Sequence, residues 1–239
     1  MTDIVRNEAF SFQRIKEETA GMWQDFYSEL RPFGKTSIYF NDFHTWVPDA
    51  WTSTEVGTSL QDIEDIRNGE LRLTSGDTEN NGNNLQLGGT GDTETTGESW
   101  APAAGKNLWF EARIKGNDVD QNDIFVGLHN EDTTIVARGS DYIGFTAVDE
   151  SASLNVQSAA SSVLSTELGV HTLVDATWVT VGFKVTSTDK VEFYVNNVLK
   201  STLSTNIPTA LMKLSISSST GEAGANELDL DYIVVAQDR

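Results

Sequence analysis

The sequence predicts an all-β fold, an antiparallel β-sandwich over residues 36–239, preceded by a short helical arm over 1–35. Two observations predict it. Near its end the chain holds four runs, W-V-T-V-G-F-K-V (178–185), K-V-E-F-Y-V-N-N-V-L (190–199), L-M-K-L-S-I-S (211–217) and E-L-D-L-D-Y-I-V-V (227–235), parted by short polar turns. Each alternates apolar and polar residues or is apolar and β-branched, the pattern of strands buried on one face, and four at this spacing imply an antiparallel sheet of a sandwich or jelly roll. The second observation is a change of hydrophobic period near Thr36, from helical spacing to two.

Before that change, Phe10, Ile15, Met22, Trp23, Phe26, Tyr27 and Leu30 recur at roughly helical spacing, and Pro32 and Gly34 stop the pattern. Gly21 weakens the middle by about 1 kcal/mol relative to Ala, so one helix or two shorter ones fit equally. The arm carries more aromatic surface than it can hide alone, so Phe10, Phe12, Trp23 and Phe26 are expected to pack on the sandwich or on a neighbouring subunit.

After Thr36 the strand candidates are T-S-I-Y-F-N-D-F (36–43), L-R-L-T (71–74), N-L-Q-L (84–87), L-W-F-E-A-R-I-K (108–115), I-F-V-G-L-H (124–129), Y-I-G-F-T-A-V (142–148) and S-L-N-V-Q-S (153–158). Residues 76–84 and 88–99, rich in Gly, Asn, Asp and Thr, read as exposed loops. Asn196-Asn197 reads as a tight turn between two strands. Trp109, Phe110, Phe125, Trp178, Phe183, Phe193, Tyr194 and Tyr232 are expected to fill a two-sheet core, while Trp46, Trp51 and Trp100, beside loops, are expected to be exposed.

Bulk properties narrow the function classes. The net charge of −20 argues against direct nucleic-acid binding, which needs a basic face to displace counterions. There is no cysteine, so neither disulfides nor thiolate metal sites are available. The start, M-T-D-I-V-R-N-E, has no apolar signal region and no long apolar run follows, so synthesis in a cytoplasm without a membrane span is expected.

Three constellations could carry chemistry. Glu227, Asp229 and Asp231 alternate on one strand, about 6.5–7 Å apart per two residues. This resembles the Glu-x-Asp-x-Glu strand of laminarinase-type enzymes, with Asp231 in the acid/base place. Their expected role is a solvated outer face, and no catalytic residue is assigned. Asp118, Asp120, Asn122 and Asp123 alternate as calcium-loop ligands do, but lack the glycine and the distal Glu of an EF-hand. They read as an acidic turn, and no metal or cofactor is assigned. His44, His129 and His171 lie far apart at no metal-ligand spacing and read as surface or strand-end residues.

The order of marks from residue 39 resembles a group of tailed-phage structural proteins with a concanavalin A-like (laminin-G type) jelly roll. The marks are Tyr39-Phe40-Asn41-Asp42-Phe43 with Trp46 and Trp51, then Lys106-Asn107-Leu108-Trp109-Phe110-Glu111-Ala112-Arg113 and Asp123-Ile124-Phe125-Val126-Gly127-Leu128. The series ends with Trp178 to Phe183, Tyr194-Val195-Asn196, and Asp231-Tyr232-Ile233 with Gln237 and Arg239. The resemblance implies a two-sheet sandwich in a virion structural protein, a capsid decoration or cement protein without enzymatic activity. Its partners would be the major capsid protein and sister copies at the capsid surface, with no nucleic acid and no membrane. In that setting Phe10, Phe12, Trp23 and Phe26 become candidate capsid or subunit contacts. The alternative is a carbohydrate-binding, lectin-like module of a tail or fibre, with Trp46, Trp51 and Trp100 stacking on sugars.

Overall fold

A computed structural model describes Met22, Trp23 and residues 35–64, 66, 69–88, 99–135 and 138–239. Phe10, Phe12, Phe26 and most of the expected helical arm lie outside the described residues. So do residues 89–98 of the second expected loop.

In chain order the strands are β1 (Thr36–Asn41), β2 (Trp51–Val56), β3 (Leu60–Ile63), β4 (Leu71–Thr74), β5 (Gly82–Leu87), β6 (Asn107–Gly116), β7 (Asn122–His129) and β8 (Tyr142–Ala147). They continue as β9 (Ser153–Ala160), β10 (Val163–Thr172), β11 (Val179–Thr186), β12 (Lys190–Val195), β13 (Val198–Leu203), β14 (Lys213–Thr220) and β15 (Glu227–Asp238). One sheet runs β13-β12-β11-β6-β15-β4-β3, with β1 beside the second half of β15; the other runs β10-β9-β8-β7-β14-β5-β2. Every pairing is antiparallel, as the expected sandwich requires.

The alternation read in the sequence is what joins the sheets. On β6, Leu108, Phe110, Ala112 and Ile114 face inward; on β11, Val179, Val181, Phe183 and Val185 do. Phe110 and Phe183 stack at 4.9 Å, and Phe145 of one sheet meets Phe193 of the other edge-on at 5.4 Å. Each such ring buried contributes about 1.5–3 kcal/mol. Two turns are set by residues at positive φ: Ser161-Ser162 (49°, 68°) joins β9 to β10, and Asn196-Asn197 (49°, 62°) joins β12 to β13. Two residues in this conformation make the type I′ turn whose twist matches paired strands.

Several expectations are corrected. Trp51 and Trp100 are buried, because β2 turns Trp51 inward opposite Leu87 and Trp100 bridges to Met212. Trp46 is half-buried, tilted against Trp51 at 5.7 Å and Phe43 at 6.5 Å. Residues 82–84 belong to β5 rather than to an exposed loop, and both Asn83 and Asn84 are buried. Trp109, Tyr194, Tyr232 and Phe125 lie on outer sheet faces, not between the sheets, since their neighbours on each strand take the inward positions.

Candidate functional site

The outer face of the eight-stranded sheet carries the densest set of ionisable groups. Arg72, Asp229 and Lys115 are cross-strand neighbours on β4, β15 and β6. Asp229, only 3% exposed, accepts from Arg72 Nε at 2.7 Å and Nη2 at 3.0 Å, and Lys115 Nζ lies 2.9 Å away. Lys115 also donates to buried Glu70 at 3.0 Å, while Arg72 reaches Glu227 at 3.3 Å and Glu64 at 3.5 Å. One row further, Arg113 pairs with Asp231 at 2.5 Å. The Trp178 ring sits under both cations, 4.8 Å from Arg113 and 4.5 Å from Lys115, an arrangement that favours charge over an aromatic face.

The two buried carboxyls are driven apart. Burial pushes Asp229 up, but hydrogen bonds from Arg72, Lys115 and Glu70 outweigh it and hold the group below the usual carboxylate range. Burial pushes Glu70 above its ordinary value, which Lys115 only partly offsets and Asp229 reinforces. The Glu227-Asp229-Asp231 row is therefore not a solvated face. It is a part-buried ion-pair network on a strand flanked by partners on both sides, and each carboxylate is engaged by an arginine.

Trp23 of the arm packs on the same face. With Met22 it covers Trp109 and Ala236, stacking on Trp109 at 6.4 Å and 16°. Its Nε1 donates to Glu111 at 2.8 Å, and the other oxygen of Glu111 accepts from Tyr232 at 2.7 Å. Met22 lies over Gly182, where an added Cβ would come 2.7 Å from its methyl carbon.

The outer face of the seven-stranded sheet holds a small pocket, with Phe125, His129, Ser215 and Ser217 in its floor and Asp132, Ile135 and Arg138 above. Its free space is about 10 Å³, the room of one water. The segment after β7 closes it. Asn84 Nδ2 donates to the carbonyls of Asp132 at 3.1 Å and Thr134 at 2.9 Å, and Gln86 holds Asn130 and Asp132. His129, read as a surface or strand-end residue, is the last residue of β7 and is buried there. It stacks on Tyr142 at 5.4 Å and accepts from Gly139 N at 3.0 Å, and burial lowers its pKa.

At one end of the sandwich Asp118 hydrogen-bonds Asp120. That bond first, then burial and the charges of Asp120, Glu222 and Asp175, push Asp118 up to about 6. Among the described residues no group of three or more His, Cys, Asp or Glu side chains converges to hold a metal ion.

No protein-family model matches the chain, and no curated protein matches it. Solved structures do. A protein of unknown function from Shewanella oneidensis MR-1 aligns with TM-score 0.59 at 14% identity, covering 85% of this chain and 87% of that one. A β-glucanase from Bacillus licheniformis aligns at 0.56 and 13%, covering 83% and 97%. Botulinum neurotoxin type C, described as interacting with two ganglioside molecules, aligns at 0.54 and 10%; 84% of this chain spans about half (47%) of that one. A glycosidic hydrolase and a fungal glucuronan lyase are also similar.

At these identities the likeness shows a shared fold, the concanavalin A-like jelly-roll sandwich also used by a glycosidic hydrolase, a β-glucanase and a ganglioside-interacting toxin. The expectation that the chain has no enzymatic activity is thereby corrected: the sandwich it was attached to is one on which hydrolases and a lyase are built.

Proposed function

We propose that the chain is a virion structural protein of the capsid-decoration type, seated on the major capsid protein at the particle surface. The observation that supports this reading is the ordered set of sequence marks, which resembles that of tailed-phage structural proteins. Their strand marks fall on β6, β7, β11, β12 and β15, five strands of one sandwich, so the likeness extends through the framework rather than one motif. A strongly acidic surface suits a protein displayed in many copies, since like charge keeps copies apart in solution. The test is to purify particles from lysates of cells carrying the gene, then quantify the chain by mass spectrometry and locate it by cryo-electron microscopy. The expected result is stoichiometric density on the head; particles free of the chain overturn the reading.

A second reading, carbohydrate binding, draws on the fold shared with the ganglioside-interacting toxin. Trp46, Trp51 and Trp100 are poorly placed for it, since two are buried and the third is half-covered. A glycan array with the purified chain separates the readings, because binding to a defined sugar by protein absent from particles favours this one.

A further inference from the structure

The two sides of the sandwich are finished differently. On one side the edges are the short β1, β2 and β3; β2 and β3 carry Glu55 and Asp62, with Gln61 donating to Glu55 at 2.9 Å across the gap. Charge and shortness of this kind discourage further strand pairing. On the other side lie the outer edges of β10 and β13, with Ser165 of β10 bonded to Thr205 and Asn206 in the segment that follows β13. β10 is ten residues long, lacks proline, and has Glu167 and His171 as its sole ionisable residues. It leaves Val163, Leu164 and Leu168 exposed, Leu168 by 70%, and Val198 and Leu199 of β13 extend the apolar surface.

The register of β10 says which partner fits. Ala160 and Val163 flank a two-residue turn and form a hydrogen-bonded pair, so Val163, Ser165 and Glu167 spend their backbone groups on β9. Leu164, Thr166 and Leu168 turn theirs outward. An antiparallel copy of the same strand centred on Thr166 then pairs Leu164 with Leu168 of the partner, Thr166 with Thr166, and Leu168 with Leu164. Leucine meets leucine twice and threonine meets threonine once, the kinds of cross-strand pair that stabilise sheets. Glu167 falls opposite Ser165, so no two carboxylates face each other although the molecule carries −20. The irregularity between Glu167 and His171, with Gly169 at φ 67°, ends the pairing beyond Leu168.

We propose that β10 is a self-association edge: two copies pair through Leu164–Leu168 about a two-fold axis at Thr166. Two seven-stranded sheets then become one continuous sheet of fourteen, held by about six new main-chain hydrogen bonds. The inference does not rest on the capsid reading and is tested on the purified chain alone.

The chain has no native cysteine, so a single introduced one reports the register without ambiguity. Thr166→Cys should cross-link to a dimer on mild oxidation, since opposed residues of a hydrogen-bonded pair lie about 5.5 Å apart, within disulfide reach. Glu167→Cys, displaced from its own copy by two residues, should not. By light scattering the wild type should approach twice 26.2 kDa with rising concentration. Leu164→Lys and Thr166→Pro should hold it at the monomer mass with unchanged circular dichroism. A monomer at every concentration with no cross-link at Thr166→Cys overturns the proposal. So does a dimer indifferent to Leu164→Lys.

Discussion

At Asp229 a carboxylate is held almost out of water by two cations on neighbouring strands. Removing one partner of such a group costs more than the pair contributes, because the remaining charges stay desolvated. Asp229→Asn should therefore destabilise the fold by about 3 kcal/mol, against about 1 kcal/mol or less for Asp231→Asn at its more open site. Urea melts of both variants check this, and equal losses would remove the special role of burial. The sign with pH follows from the depressed Asp229 pKa: its stabilisation is full above the unfolded value and fades as pH falls through the folded one. Asp118 has the opposite sign. Its pKa is raised to about 6, so the native state binds the extra proton and is penalised at higher pH. Asp118→Asn should raise the melting temperature at pH 8, with the gain shrinking through pH 6 and vanishing near pH 4. A gain that persists at pH 4 would point to something other than charge repulsion.

Among the elements, the strands legible in the sequence are those whose two faces meet different surroundings. β6, β11 and β12 alternate because one side meets the other sheet, while β7 and the I-V-V stretch of β15 read as apolar runs because both their faces are largely covered. β2, β3 and β10 are absent from the sequence reading since edge strands have little buried alternation to show. β10 is exposed along nearly its whole length. The same limit hid the ion-pair network: Arg72, Lys115 and Asp229 are far apart in sequence, and only the antiparallel register brings them into one row. It also misplaced the tryptophans, because a residue beside a loop can still be turned inward by the strand that follows, as β2 does with Trp51. The arm yields a prediction at this scale. Trp23→Ala removes a stacked ring and a hydrogen bond to Glu111, and should cost about 2 kcal/mol while exposing Trp109 and shifting the tryptophan emission to the red. An unchanged melt and spectrum would mean that this contact stabilises nothing.

Across the whole molecule, 36 acidic side chains face 16 basic ones. Two electrostatic effects oppose each other. Local pairs such as Arg72–Asp229 attract and would weaken with salt, whereas the surplus of carboxylates repels over tens of ångströms and is relieved by salt. Between 10 and 150 mM ionic strength the screening length drops from about 30 to about 8 Å. Pairs in contact at 2.5–3.0 Å and partly buried lie well inside even the shorter length and change little. Repulsion between acidic loops is cut sharply over the same range. Repulsion should therefore dominate the response, and the melting temperature should rise as sodium chloride goes from 10 to 150 mM, most steeply at the dilute end. A rise should also appear at fixed low salt when pH falls from 8 to 6, with relief of Asp118 contributing. Scanning calorimetry at four salt concentrations decides it. A melting temperature that falls with salt would show that the ion-pair network, not the surplus charge, sets the electrostatic stability of the sandwich.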